Sequence, residues 1–305
     1  MAIIGKKKRT LRERTKEVDQ KLALSEGRRR DLNQKYRGPD PRTTEYFGNL
    51  SSRTSAQNGG IISTHYQITP VLNGHYKVTI DLSKWLPQYG LLSFTREFQR
   101  IGSEDKHFSD LCSLNGTLLQ YTSESLFPDK YDPRKKKVMI VLGNPATHSV
   151  AGGMFFYSRS DGNRHQFWGK LEEAGLITKI IDDTLEEEAK VRKKLILDGE
   201  TSQKYLLGLT TFYSFPTPVS GDYKDVKGVE ALFRPVISRV QRMELDRLLS
   251  YEFSQDTLFV FTQKSSYCYA SSSLCRKRLI YWPLKGAGSS GMDLVDLLNL
   301  KNNSI

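Results

Sequence analysis

Apolar residues are spaced in two ways along this chain, and the change comes near Lys137. From there on, short apolar and β-branched runs recur at Val138–Leu142, Tyr205–Phe215, Thr257–Thr262 and Arg278–Trp282. Each is brief and continuous, as a strand buried on both faces should be. Between and after them lie stretches of helical period: His165–Gly175, which Gly175 terminates, the long amphipathic Val229–Leu249, and Met292–Leu300. The charged stretch Thr184–Lys194 reads as a helix inserted on the surface. Strands alternating with helices predict a three-layer α/β/α fold with a short, mostly parallel central sheet. Upstream the pattern is different. His65–Leu82 alternates at Tyr76, Val78 and Ile80, which predicts a hairpin around Asn73-Gly74. Trp85–Phe127 is mixed, with a helix expected near Phe108–Leu119. Lys6–Gln34 is helix-permissive until Arg37-Gly38-Pro39-Asp40-Pro41 breaks it, and Asn49–Gly60 has the composition of a linker. The expected organisation is a basic N-terminal extension (1–60), a segment packing on the core (61–136) and an α/β/α domain (137–305).

Charge sharpens this picture. The net charge of the 305 residues is +12. Met1–Arg42 holds fourteen Lys and Arg against six Asp and Glu, so eight of those twelve charges sit in the extension. Such a tail is either simply solvated or makes sequence-independent phosphate contacts, and a basic tail can bind a polyanion without folding. No apolar run is long enough to span a membrane, and Met1–Thr10 carries no signal-like apolar segment. The three cysteines, Cys112, Cys268 and Cys275, have no metal-ligand spacing, and an odd number argues against a disulfide framework. A reducing compartment is expected, either the cytoplasm alongside the nucleoid or the nucleus. No metal or cofactor is expected.

Val138–Trp168 carries the candidate chemistry. A strand ends abruptly at Gly143-Asn144-Pro145, a loop with Gly152-Gly153 follows, and Phe155, Phe156 and Tyr157 come next. In open α/β sheets ligands bind beyond the carboxyl ends of the strands. An amide, glycines and aromatics at that place suit a flat polar ligand. Asn144 offers a donor and an acceptor in one neutral group, although Asn144-Pro145 also makes a plain strand-ending turn. His148 lies in the same loop and suits water activation, phosphate contact or an ordinary surface position. Gly152 and Gly153 permit close backbone approach, as would any flexible loop. Asn163 is placed to cap the next helix.

The same residues resemble the uracil-DNA glycosylase superfamily, most closely its mismatch-specific uracil/thymine branch. Gly143-Asn144-Pro145 resembles its first motif, with Ala146 where a glycine is usual, and Phe156 follows Asn144 by twelve residues, the spacing of the family's stacking aromatic. Asn163-Arg164-His165-Gln166-Phe167-Trp168 is similar to N-R-F-W with two residues inserted. Gly208-Leu209-Thr210-Thr211 and Phe215-Pro216-Thr217 resemble a later strand and loop. The likeness runs from Lys137 to Asp296.

The resemblance implies a monofunctional DNA glycosylase. Such an enzyme flips a damaged, mispaired or modified base and hydrolyses its bond to deoxyribose. Asn144 would position the water with His148 assisting, Phe156 would stack on the base, and Gly153 would offer its backbone to the base edge. The second motif departs from the family, since Trp282 stands before Pro283 where a polar residue is usual. Trp282 would then line the base pocket, while Lys285, Gly286, Ser289 and Ser290 would contact DNA. The implied partner is DNA, bound by a monomer. The alternative is a DNA-binding module of the same fold with impaired catalysis, and repair and defence against foreign DNA both remain open as settings.

Overall fold

The computed structural model describes residues 61–62, 65–71, 74–158, 163–180, 184–274 and 276–302. The basic extension, its helix-permissive stretch, the linker and Cys275 lie outside them. The described chain begins with an antiparallel meander: β1 (Ile61–Ile62), β2 (Tyr66–Pro70) and β3 (His75–Asp81). β2 and β3 form the expected hairpin, with Ile68 opposite Val78. Helix α1 (Gln88–Glu104) comes next and buries Phe94, Phe98 and Ile101, one apolar face at helical spacing. After α2 (Lys106–Leu111) the chain becomes extended as β4 (Cys112–Asn115) and β5 (Leu118–Glu124). The helix expected over Phe108–Leu119 is therefore corrected. Gly116, at φ +60, makes a tight turn there, and Leu119, Tyr121 and Ser123 alternate into the core. The five strands run in the order β1-β2-β3-β5-β4.

The second half is α/β. It starts with β6 (Lys136–Leu142), short helix α3 (Thr147–Gly152), α4 (Gln166–Glu173) and α5 (Leu185–Leu197). β7 (Tyr205–Thr211) leads to α6 (Asp225–Leu232) and α7 (Ile237–Ser250). The long helix expected over Val229–Leu249 is broken, because Arg234-Pro235-Val236 forms a 3-10 turn and proline cannot continue the hydrogen-bond ladder. β8 (Leu258–Phe261), α8 (Lys264–Ala270), β9 (Leu279–Tyr281) and α9 (Gly291–Asn302) complete it. The four strands are parallel, in the order β7-β6-β8-β9.

Both faces of this sheet are covered, which is why its strands read as unbroken apolar runs. Val138, Ile140, Leu209, Val260 and Ile280 pack against Phe167, Trp168 and Leu171 of α4, Ile196 of α5 and Leu294 of α9. Met139, Val141, Phe259 and Phe261 face Val229 of α6, Val240 and Met243 of α7, and Tyr267 of α8. The same cluster takes in Val78, Ile80 and Tyr121 of the antiparallel sheet, so the two halves share one core. Helix α5 also differs from expectation. Thr184 caps it, but Glu188, Ala189, Arg192 and Ile196 are buried, so it is a packed layer and not a surface insertion. Glu188 takes both Arg164 and Arg192, which keeps its charge paired inside that layer.

Two devices join the halves. Leu126 and Leu209 exchange a pair of backbone hydrogen bonds, both 2.8 Å, along the outer edge of β7. Beside them lies a fully buried ion pair, in which Arg247 Nε donates to Glu244 Oε2 at 2.7 Å. Arg247 also donates to Thr210 Oγ1, the Tyr251 hydroxyl and the Thr211 and Phe212 carbonyls. Glu244 accepts from the Ser214 backbone N–H at 2.6 Å and from its hydroxyl, and that hydroxyl meets the Tyr121 hydroxyl at 2.8 Å. The network holds α7, the end of β7 and β5 in one register. Among the described residues no helix is long and apolar enough to cross a membrane.

Candidate functional site

The loops leaving the adjacent strands β6 and β8 diverge at the carboxyl end of the sheet, and the switch point between them is the expected ligand crevice. The chain leaving β6 passes through α4 and α5 on one face of the sheet, whereas the chain leaving β8 passes through α8 on the other. Ligand sites form where neighbouring connections diverge in this way. Gly143, just after β6, lies against Gln263, just after β8. Gly143 allows the close approach: a Cβ there would sit 2.6 Å from Val226 Cγ2 and 3.0 Å from Gln263 Cγ.

Asn144 is partly exposed and firmly held. Its Nδ2 donates to Thr217 Oγ1 at 2.7 Å and to the Pro145 carbonyl at 3.2 Å. With both amide hydrogens committed inside the protein, Oδ1 is the atom left to accept from a ligand or a water. Thr217 is itself fixed, since its N–H donates to Pro145 O and its carbonyl accepts from Thr147 N–H, both at 3.0 Å. Two segments quoted from the sequence, Gly143-Asn144-Pro145 and Phe215-Pro216-Thr217, thus meet across the crevice edge.

His148 projects from α3 in a half-buried setting. Burial holds its imidazole below the usual histidine range, and nearby His107 adds to that. The Ser158 backbone and Asp105 act in the opposite direction. Asp105 and His107 belong to the α1–α2 junction and were not among the expected site residues. Asp105 Oδ1 caps α2 by accepting from His107 N–H at 2.8 Å and Phe108 N–H at 3.2 Å. Its Oδ2 accepts from Thr147 Oγ1 at 2.7 Å. An Asp just before a helix is a start signal in sequence, so the cap was readable. Its reach to Thr147, 42 positions on, was not.

Phe156 occupies the left-handed region at φ +48, an unfavourable place for a bulky residue that requires support from its surroundings. That support is visible. Its carbonyl accepts from Trp168 Nε1 at 3.1 Å, and its ring stacks on His165 with centroids 4.3 Å apart. Phe167 packs on it at 4.6 Å. The ring remains partly exposed, with His165 already stacked on it. His165, not Asn163, caps α4, because its Nδ1 accepts from Phe167 N–H at 3.1 Å.

Two expected base contacts are corrected. Gly153, at φ +71, is the C-cap of α3: its N–H donates to the Val150 carbonyl, and its own carbonyl accepts from Lys193 Nζ at 3.0 Å. Both polar groups of its backbone are therefore occupied within the protein. Trp282 is fully buried in the core against α4 and α9, and its indole N–H donates to Ser290 O at 3.1 Å. It neither lines the crevice nor has a donor to spare. The loop behind it divides. Lys285 and Gly286 are exposed at the tip, and Gly286 has φ +87 with open space around it. Ser289 Oγ accepts from Lys170 Nζ at 3.2 Å, while Ser290 exchanges hydrogen bonds with Asp293 as a cap for α9. The serines hold the loop in shape, and the lysine and glycine face outward.

No protein-family model matches the chain, and no curated protein matches it. Function must be argued from geometry. Clefts of about 510 and 540 Å³ border Thr178, Ser202 and Gln203 beyond the amino end of β7, on the opposite side of the sheet from Asn144. They share no residue with the crevice.

Proposed function

We propose that the protein is a monofunctional DNA glycosylase that hydrolyses the bond between an extruded base and deoxyribose. The observation that carries this reading is the Asn144 amide. It stands at the divergence of the β6 and β8 connections, partly exposed and with both its hydrogens bound internally. A water accepted there is oriented toward a sugar carbon entering the crevice. The water's oxygen joins that carbon as the bond to the base breaks, and the base departs with the electron pair and takes up a proton. A neutral amide is a weak activator, so most of the rate must come from holding water and sugar in line. The base must leave the stack first, because it cannot be reached within a duplex. Phe156, already stacked on His165, offers an aromatic surface for a flipped base, an interaction worth about 1–3 kcal/mol per base. Lys285 and Gly286 at the tip of the β9–α9 loop suit contact with the phosphate backbone, as do the basic residues of the N-terminal extension. DNA is the proposed partner, bound by a monomer in the cytoplasm beside the nucleoid or in the nucleus.

Buried Trp282 favours one second reading. With no polar side chain delivered by β9 to the crevice, the fold would bind DNA without releasing a base. An abasic-site assay separates the two. Duplexes carrying uracil, mismatched thymine or modified pyrimidines are incubated with wild type and with Asn144→Ala, and strand breaks are counted after alkali. The glycosylase reading expects breaks with wild type, their loss in the variant, and DNA affinity within a few-fold. Binding by wild type without breaks on any duplex would leave the binding module.

A further inference from the structure

The α1–α2 junction belongs to the half of the protein that the parallel sheet does not include, yet it reaches the crevice. Asp105 spends one carboxylate oxygen on the α2 amides and the other on Thr147 Oγ1, at 2.7 Å. Thr147 is buried, opens α3 and lies three residues after Asn144. Its N–H donates to the Thr217 carbonyl, and the Thr217 hydroxyl accepts from Asn144 Nδ2. An unbroken path of hydrogen bonds and short chain segments therefore links Asp105 to the amide proposed to hold water. The same carboxylate acts on His148.

We infer that Asp105 is a positioning residue for this site, holding the Asn144 loop through Thr147. The antiparallel half is then a working part of the crevice. A hydroxyl bond to a charged acceptor is stronger than a neutral one, so this tie resists loosening when DNA is bound or released. A helix cap alone would need only Oδ1, and a neutral Asn or Ser could supply it. The titratable groups acting on His148 are Asp105 and His107, both from the α1–α2 junction. From its own helix the Ser149 hydroxyl lies 3.4 Å from its Nε2, and the Ser158 backbone acts from the following loop. Asp105 is the one carboxylate among these groups, and it belongs to another element.

The inference deepens the glycosylase reading, but its decisive tests need no substrate. Asp105→Asn keeps a good cap for α2 and removes the charge; Asp105→Ser does the same if the first variant folds poorly. In the full-length protein, the ring protons of the five histidines are followed by NMR through a pH series, with His107→Gln and His148→Gln spectra assigning the two that matter. The His148 midpoint should move to lower pH in the Asp105 variants, because the carboxylate favours the charged imidazole. Backbone amide exchange at Thr147 and Thr217 should accelerate about tenfold or more, the loss expected for one hydrogen bond to a charged group. Unchanged exchange at both amides would overturn the assignment. A duplex with a single uracil opposite guanine supplies the third measurement, where kcat should fall with affinity retained. If wild type releases no base from any duplex, the glycosylase reading fails while amide exchange still decides the role of Asp105.

Discussion

Replacing Trp282 by Phe tests whether this residue is core or base pocket. The indole is fully buried against α4 and α9, and its N–H is bonded to Ser290 O at 3.1 Å. Phe leaves a void of roughly 40 Å³, which costs about 1 kcal/mol at the cavity coefficient of ~24 cal/mol per Å³. It also strips a donor from the Ser290 carbonyl at the start of the α9 cap, worth about 1 kcal/mol where water can partly compensate. The sum, about 2 kcal/mol, should lower Tm by roughly 4–8 °C for a domain of this size. Trp282→Ala should cost about 3–5 kcal/mol and take a large share of total stability. Urea unfolding followed by circular dichroism gives the free energies, and DNA affinity and base selection are measured well below the variant's Tm. The reasoning requires a stability loss with unchanged DNA affinity and base preference. A Phe variant of wild-type stability, or one with altered base preference at full folding, would refute it and return Trp282 to the crevice.

Three further outcomes follow from other parts of the fold. Glu124 is fully buried, and burial raises its carboxyl to about 8 against the attraction of Lys193. The folded state then holds a proton that the unfolded state has released between about pH 4.5 and 8, so this residue's contribution to stability falls as pH rises through that window. Glu124→Gln should remove a slope of up to about 1.4 kcal/mol per pH unit, read as the difference between wild-type and variant unfolding series; parallel curves would contradict it. Gly143→Ala should cost about 1–3 kcal/mol through overpacking against Val226 and Gln263 and should disturb base release, and a variant with native stability would show that the crevice wall yields. Deleting Met1–Arg42 should weaken DNA binding and flatten the plot of log affinity against log salt, because eight of twelve net charges are removed. Equal slopes for the two proteins would assign the tail another purpose.

The local pattern of this chain was sufficient for its parallel sheet. Val138–Leu142 is apolar at every position because both faces of β6 are covered, and burial on both faces leaves a mark that needs no knowledge of the partners. The β2–β3 pairing was readable for a similar reason, since a hairpin depends on the alternation of a few neighbouring residues. Where tertiary contacts outweighed local preference, the pattern misled. The apolar residues of Phe108–Leu119 suit a helix, yet from Cys112 the chain forms two strands because β5 completes the sheet beside β3. The charges of α5 marked it as a surface helix, but Arg164 and Arg192 pair with Glu188 and permit its burial. The site divides in the same way. Asn144 at a strand end stands out in one dimension, and its partner Thr217, 73 residues on, acquires meaning only when β6 and β7 lie side by side. Trp282 and Gly153 looked available because a sequence does not show whether a donor is already used. Only packing decides that, by placing Ser290 O against the indole and Val150 O against the Gly153 N–H. Asp105 is the clearest case: its cap is a local fact, and its hold on Thr147 exists only because the two sheets share one core.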